Sequence, residues 1–230
     1  MQVMKKMASI HPSPQHLMRM FDDFDLEGPN GIHKCLVLEL LGPSVPDMVE
    51  RYSDYRLPGG IAKAIAKQAV SGLDALHQQE IAHGGELITL LVLENECSTC
   101  LDLHANNLAF TLPDMNRVPE GEFIKTLGKP DIGYVKRKDS KPLEPSVPEY
   151  IVRPASDQKL PSTSLLSNAI KIIDFGESFL PTAVPHTLRT PVSVRAPEVI
   201  FKDNLDYRVD LWSMGCMVGE IIRSRQSIQS

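Results

Sequence analysis

The period of the hydrophobic positions changes several times along the chain, and each change marks an element. Between Met1 and Met20 apolar residues recur at helical spacing until His11-Pro12-Ser13-Pro14, where proline removes a backbone donor and interrupts the helix. Gln15 to Glu27 and Ile32 to Leu41 read as two strands. They are joined by Gly28-Pro29-Asn30-Gly31, whose Gly and Asn tolerate the backbone angles of a tight turn, so the pair is expected to form a β-hairpin. Ser44 then offers a cap to a short helix over Ser44 to Tyr55, with Pro46 in the first turn, where a missing N–H costs little. Leu57-Pro58-Gly59-Gly60 ends it. From Ile61 to His77 the residues Ile61, Ile65, Ala69, Leu73 and Leu76 fall three or four apart, the stripe of a helix that buries one face.

The second half is less regular. Residues 112 to 167 carry prolines at 113, 119, 130, 142, 145, 148, 154 and 161, and the stretch is expected to be an irregular insert. Ala169 to Phe175 is a short β-branched run, and Val209 to Ile222 is an apolar helix opened by Asp206 to Asp210. No internal repeat is present.

Composition narrows the class. The 230 residues are 42% hydrophobic and 23% charged with a net charge of -5, the profile of a soluble globular chain. The 24 basic and 29 acidic residues leave no electrostatic footprint for a phosphate backbone, which argues against direct nucleic-acid binding. The longest apolar runs fall far short of the roughly 20 residues needed to span a bilayer, so no membrane partner is expected. Four cysteines without a disulfide-scaffold pattern, and the lack of a charged-then-apolar leader, point to a reducing compartment, the cytoplasm or the nucleus.

Chemistry gathers in ordered motifs. His83-Gly84 and Asp102-Leu103-His104-Ala105-Asn106-Asn107, separated by an interruption, together resemble the protein-kinase catalytic loop. Ile172-Ile173-Asp174-Phe175-Gly176 is an apolar strand running into Asp-Phe-Gly. Arg195-Ala196-Pro197-Glu198 would close an activation segment, and Asp210-Leu211-Trp212-Ser213-Met214-Gly215-Cys216 is similar to the helix that follows it. Phe21-Asp22-Asp23-Phe24, Gly28-Pro29-Asn30-Gly31-Ile32-His33 and Cys35-Leu36-Val37-Leu38-Glu39 narrow the resemblance to the SR-protein-specific kinases and their relatives, over residues 1 to 222.

That resemblance implies an α+β, protein-kinase-like fold. Residues 1–41 would be an incomplete small β-lobe running to the hinge. Residues 42–222 would be a mostly helical large lobe with a catalytic-loop interruption at 85–101 and the insert at 112–167, followed by a tail at 223–230. It implies Ser/Thr phosphoryl transfer from ATP with Mg2+, the acceptors being protein substrates rich in Arg and Ser. Asp102 would accept the proton of the substrate hydroxyl, and Asn107 and Asp174 would hold the magnesium ions bridging the ATP phosphates. Glu39 to Leu41 would form the hinge against adenine, with Leu38 as gatekeeper, and Asp210 would support the catalytic loop from below. Thr190 would reach toward Asp102.

Other readings of the same residues stay open. Asp174 beside Phe175-Gly176 is also what an ordinary turn carboxylate looks like, and His83 alone reads as a packed, hydrogen-bonded histidine. Cys97-x-x-Cys100 lacks the second Cys/His pair of a zinc site. The apolar segment between Gly85 and Leu101 can be read as a retained intron, since its borders admit GT and AG and its removal joins His83-Gly84 to Asp102 in frame. No Gly-x-Gly-x-x-Gly loop or Val-Ala-x-Lys strand occurs in the sequence, so a catalytically dead kinase-like binding module, or a chain that does not fold, is the alternative.

Overall fold

A computed structural model of the protein describes residues 1–53, 57–85, 107–112, 118–153, 168–190 and 192–226. Helix α1 (Gln2–Ala8) buries Val3, Met4 and Met7. Strands β1 (Met20–Gly28) and β2 (Gly31–Leu38) form the expected antiparallel hairpin, with Gly28 opposite Gly31. Gly31 takes φ +112°, a conformation open to glycine and unfavourable for a side chain. The hairpin begins at Met20, not at Gln15, because residues 16–18 are drawn to another strand: the Ile172 N–H donates to the His16 carbonyl at 2.9 Å and the Met18 N–H to the Ile172 carbonyl at 2.9 Å.

Beyond β2 the chain crosses into a three-stranded antiparallel sheet ordered β3 (Leu41–Ser44), β4 (Leu108–Thr111), β7 (Ile170–Ile172). Strand β3 was hidden in the sequence by its Gly-Pro, and its pairing with β4 is irregular between Leu41 and Ser44. Helix α2 (Val45–Val49) is capped by Ser44 as expected, and Asp47 completes a capping box: the Asp47 N–H donates to the Ser44 hydroxyl at 3.3 Å and the Ser44 N–H to the Asp47 carboxylate at 3.0 Å. It stops at Val49, well before Tyr55.

Helix α3 (Gly59–His77) buries Ala62, Ile65, Ala69, Gly72, Leu73 and Leu76, close to the stripe read from spacing. It lies against β7 so closely that a Cβ on Gly72 would stand 2.9 Å from the His16 carbonyl oxygen and 2.9 Å from Ile172 Cδ1. The Gln68 amide locks the contact: it donates to the Asn168 carbonyl at 2.8 Å and accepts from the Ile170 N–H at 2.9 Å. Residues 112–167, expected to be irregular, contain helix α4 (Glu120–Leu127) and an antiparallel hairpin of β5 (Ile132–Tyr134) and β6 (Tyr150–Val152). Pro119 at the N-cap of α4 starts that helix instead of breaking it, and the aromatic and β-branched residues of the hairpin outweigh the prolines between them.

After β7 come a 3-10 turn (Val192–Val194), helix α5 (Pro197–Phe201) and helix α6 (Arg208–Gln226), which packs against α3. The main core joins α1, α2, α3, α6 and the three-stranded sheet; a second cluster of Ala82, Phe179, Leu188, Ala196, Val199, Leu205 and Val209 fills the space under the segment before α6. Among the described residues no helix is long and apolar enough to cross a membrane.

Two predictions follow from this packing. Leu76 is fully buried and Val70, on the same helix, is 47% exposed. Leu76→Ala is therefore expected to cost about 2–5 kcal/mol in urea unfolding, whereas Val70→Ala should stay within about 0.5 kcal/mol. At the start of α6, hydrogen bonds from the Arg208 side chain hold the Asp206 carboxyl below its ordinary value of 3.8. A depressed carboxyl stabilises the fold above its ordinary range, and the effect is lost as pH falls through the folded-state value. Asp206→Asn should thus lower stability slightly at neutral pH, and the gap between variant and parent should close in acid unfolding curves as pH falls below the ordinary carboxylate range.

Candidate active site

The site is built where β4 runs beside β7. In their register Leu108 faces Ile172 and Ala109 faces Lys171, and one step further the Ile173 N–H donates to the Asn107 carbonyl at 2.9 Å. Asn107 just before β4 and Asp174 just past the end of β7 are thereby neighbours along the backbone, although the whole insert separates them in sequence. Asp174 is exposed and takes φ +58°, a left-handed conformation that Asp tolerates better than most side chains. The Gly176 N–H donates to its Oδ1 at 3.1 Å. The turn-carboxylate reading is therefore met in part, in a left-handed backbone conformation just past the end of β7.

Beneath this pair lies His83, fully buried. Its Nε2 is 3.1 Å from the Ile173 carbonyl and its Nδ1 accepts the Gly85 N–H at 3.3 Å, a pattern that calls for the tautomer protonated at Nε2. Its ring meets Phe175 edge-on at 5.3 Å. Its carbonyl accepts the Ser178 hydroxyl at 3.0 Å, and one residue earlier Ala82 and Phe179 exchange two backbone hydrogen bonds of 3.0 Å. The segments after Asp174 and after α3 are so joined into one ribbon.

Asp210 supports that ribbon. Its carboxylate is fully buried and accepts the His83 N–H at 2.8 Å, the Gly84 N–H at 2.9 Å and His77 Nε2 at 2.9 Å. The resemblance implied its supporting place; the geometry supplies the donors. Gly84 has φ +68°, and a Cβ there would stand 2.5 Å from the Glu177 carbonyl oxygen, so only glycine fits between these two segments. Gly85 comes close to Asn107, whose Nδ2 would be 3.2 Å from an added Cβ.

The adenine-side candidates occupy the crossing between the two sheets. Leu38 ends β2, opposite Met20, and is 37% exposed; Leu41 begins β3, opposite Thr111. Between them the Glu39 N–H donates to the Arg19 carbonyl at 3.0 Å, and the Glu39 carboxylate accepts the Arg19 N–H at 2.6 Å and grips Lys171 Nζ at 2.7 and 2.8 Å. Asp102, His104, Cys97 and Cys100 lie outside the described residues. Thr190 is buried, its carbonyl accepts Arg195 Nε and Nη2 at 2.9 and 2.5 Å, and among the described residues its hydroxyl has no hydrogen-bond partner.

His77, Gln68 and Lys171 were missed by the sequence reading. Lys171 left the clearest signal, a lone cation inside an otherwise apolar strand, which has to find a counter-charge if it is not to be exposed. Among the described residues no group of three or more His, Cys, Asp or Glu gathers as a metal cage. Asp210→Ala should cost about 3 kcal/mol or more in unfolding, because three buried donors lose a charged acceptor. Gly84→Ala should also be strongly destabilising, while Gly60→Ala, where a Cβ meets nothing within 4 Å, should not.

No family model matches the chain. Its sequence is 23% identical over 198 residues to the serine/threonine-protein kinase AFC1 of Arabidopsis thaliana, covering 86% of this chain and 33% of that protein. It is 25% identical over 211 residues to the serine/threonine-protein kinase SRPK of Physarum polycephalum, covering 89% of this chain and 45% of that protein. Shorter stretches match more strongly, as with 36% identity over 66 residues to SRSF protein kinase 3 of Homo sapiens. A crystal structure of a kinase domain superposes with a TM-score of 0.57 at 20% identity, covering 96% of this chain and 50% of that one. The chain thus spans a third to a half of the length of its longest-matching relatives. Its sequence is similar to Ser/Thr protein kinases of the SR-protein-kinase-like group, and its fold is that of a protein-kinase domain.

Proposed function

We propose that the chain contributes the metal–nucleotide end of a Ser/Thr protein kinase of the SR-protein-kinase-like group, which transfers the γ-phosphoryl group of ATP to serine or threonine hydroxyls of Arg/Ser-rich proteins. The observation that carries the reading is the placement of Asn107 beside Asp174 by the β4–β7 ladder. One carboxylate and one amide oxygen suit Mg2+, a hard cation that keeps several waters and takes its other ligands from substrate phosphates. The donor set therefore fits the ion. Mg2+, when bound, would neutralise charge on the phosphates.

The chain's own residues would hold that arrangement still. Asp174 is fixed by its turn and by Phe175 against His83; Asn107 is fixed by the ladder; the His83-Gly84 segment is fixed by Asp210. Positioning of this kind supplies most of the acceleration in phosphoryl transfer, where little covalent work falls to the protein. Leu38, Glu39 and Leu41 would line the adenine, and Asp102 would take the proton of the acceptor hydroxyl.

The test is incorporation of labelled phosphate from Mg-ATP into an Arg/Ser-repeat peptide by the full chain. Transfer is expected to need Mg2+ and to fall by at least about 10²-fold in Asp174→Ala, the scale of losing one electrostatic stabiliser. No transfer and no nucleotide binding at any Mg-ATP concentration, by a chain shown to be folded, would overturn the reading.

A further inference from the structure

Resting on the metal–nucleotide reading above, we propose that Lys171 is a positioning residue: it ties the nucleotide-contacting connection at Glu39 to the strand that ends in Asp174, so that the two halves of the nucleotide site are held at one spacing. Lys171 sits at the centre of β7, between the fully buried Ile170 and Ile172. Alternation along the strand turns it away from the face that those two bury, toward the crossing between the sheets. There its ammonium meets both carboxylate oxygens of Glu39, at 2.7 and 2.8 Å, with the two side chains only 16% and 19% exposed.

The connections on either side make this pair more than a local contact. Glu39 Oε1 also accepts the Arg19 N–H at 2.6 Å, so the carboxylate fixes both ends of the β1–β2 hairpin. Lys171 pairs across the ladder with Ala109, two residues past Asn107, and lies three residues before Asp174. Lys171 therefore joins the adenine-side connection, through its ammonium, to the β4–β7 ladder that leads to Asn107 and Asp174, through its backbone. A pair this sheltered is screened less by salt than a surface pair. Such a pair gains little net stability over two apolar side chains of similar volume, whereas removing one partner leaves the other charge sheltered and unpaired, so a positioning role is read from Mg2+-dependent binding by folded protein and not from melting alone.

The experiment measures binding of a fluorescent ADP analogue to the full chain, with Mg2+ and with EDTA, alongside melting curves. In the parent chain Mg2+ should tighten binding. Lys171→Met should reduce that Mg2+-dependent tightening about tenfold, the weight of one charge-assisted hydrogen bond, when measured at a temperature where the melting curve shows the variant folded, since leaving Glu39 without its cation also lowers stability. Lys171→Arg should retain it, and the reversed pair Lys171→Glu with Glu39→Lys should recover most of it. Unchanged tightening in Lys171→Met overturns the proposal. So does a loss that merely follows the folded fraction, or a reversed pair no better than Lys171→Glu alone. A folded parent chain that binds no analogue at all would instead overturn the metal–nucleotide reading on which this rests.

Discussion

The antiparallel pairing of β4 with β7 decides which side chains of this chain can meet. Residues 107 and 174 are far apart in sequence, and nothing local brings them together. The ladder does so because its register sets Leu108 against Ile172, which leaves the Asn107 carbonyl to take the Ile173 N–H. Slipping that register by one residue would turn Ile170 and Ile172 out of the core and leave Lys171 inside it. Burial of two isoleucines on one face and an ion pair on the other thus specify a single alignment.

Everything else around the site holds the ladder or extends it. Helix α3 presses Gly72 against Ile172 and clamps the entrance of β7 through Gln68. Residues 16–18 close the other edge of β7. From α6, Asp210 reaches the turn at His83 and Gly84, and His83 in turn reaches back to Ile173 and Phe175. The carboxylate is buried without an ordinary ion pair, yet it is satisfied by three donors, which is the condition under which a buried charge can be kept. Support thus runs from the core outward to the exposed carboxylate of Asp174.

The parts of the fold legible in the sequence were those with local causes. Helix α3 showed itself through its apolar stripe, the β1–β2 hairpin through its turn residues, and α2 through the Ser44 cap. The parts that escaped depended on distant partners. Strand β3 exists because β4 offers it an edge, residues 16–18 leave the hairpin because β7 offers them one, and α4 begins at a proline that local rules read as a breaker. Within the site, Asp174 and Asn107 were legible as motif residues, but Lys171 and His77 were not: the worth of each lies in one carboxylate more than a hundred positions away.

The central claim is that Asn107 and Asp174 share one divalent ion, and the most direct measurement is paramagnetic broadening of backbone amide signals by Mn2+ in the presence of ADP. The account predicts that signals from residues 107–108 and 173–176 broaden first and together, and that Asp174→Ala abolishes the effect. Broadening that spares both segments, or centres on another part of the chain, would contradict it.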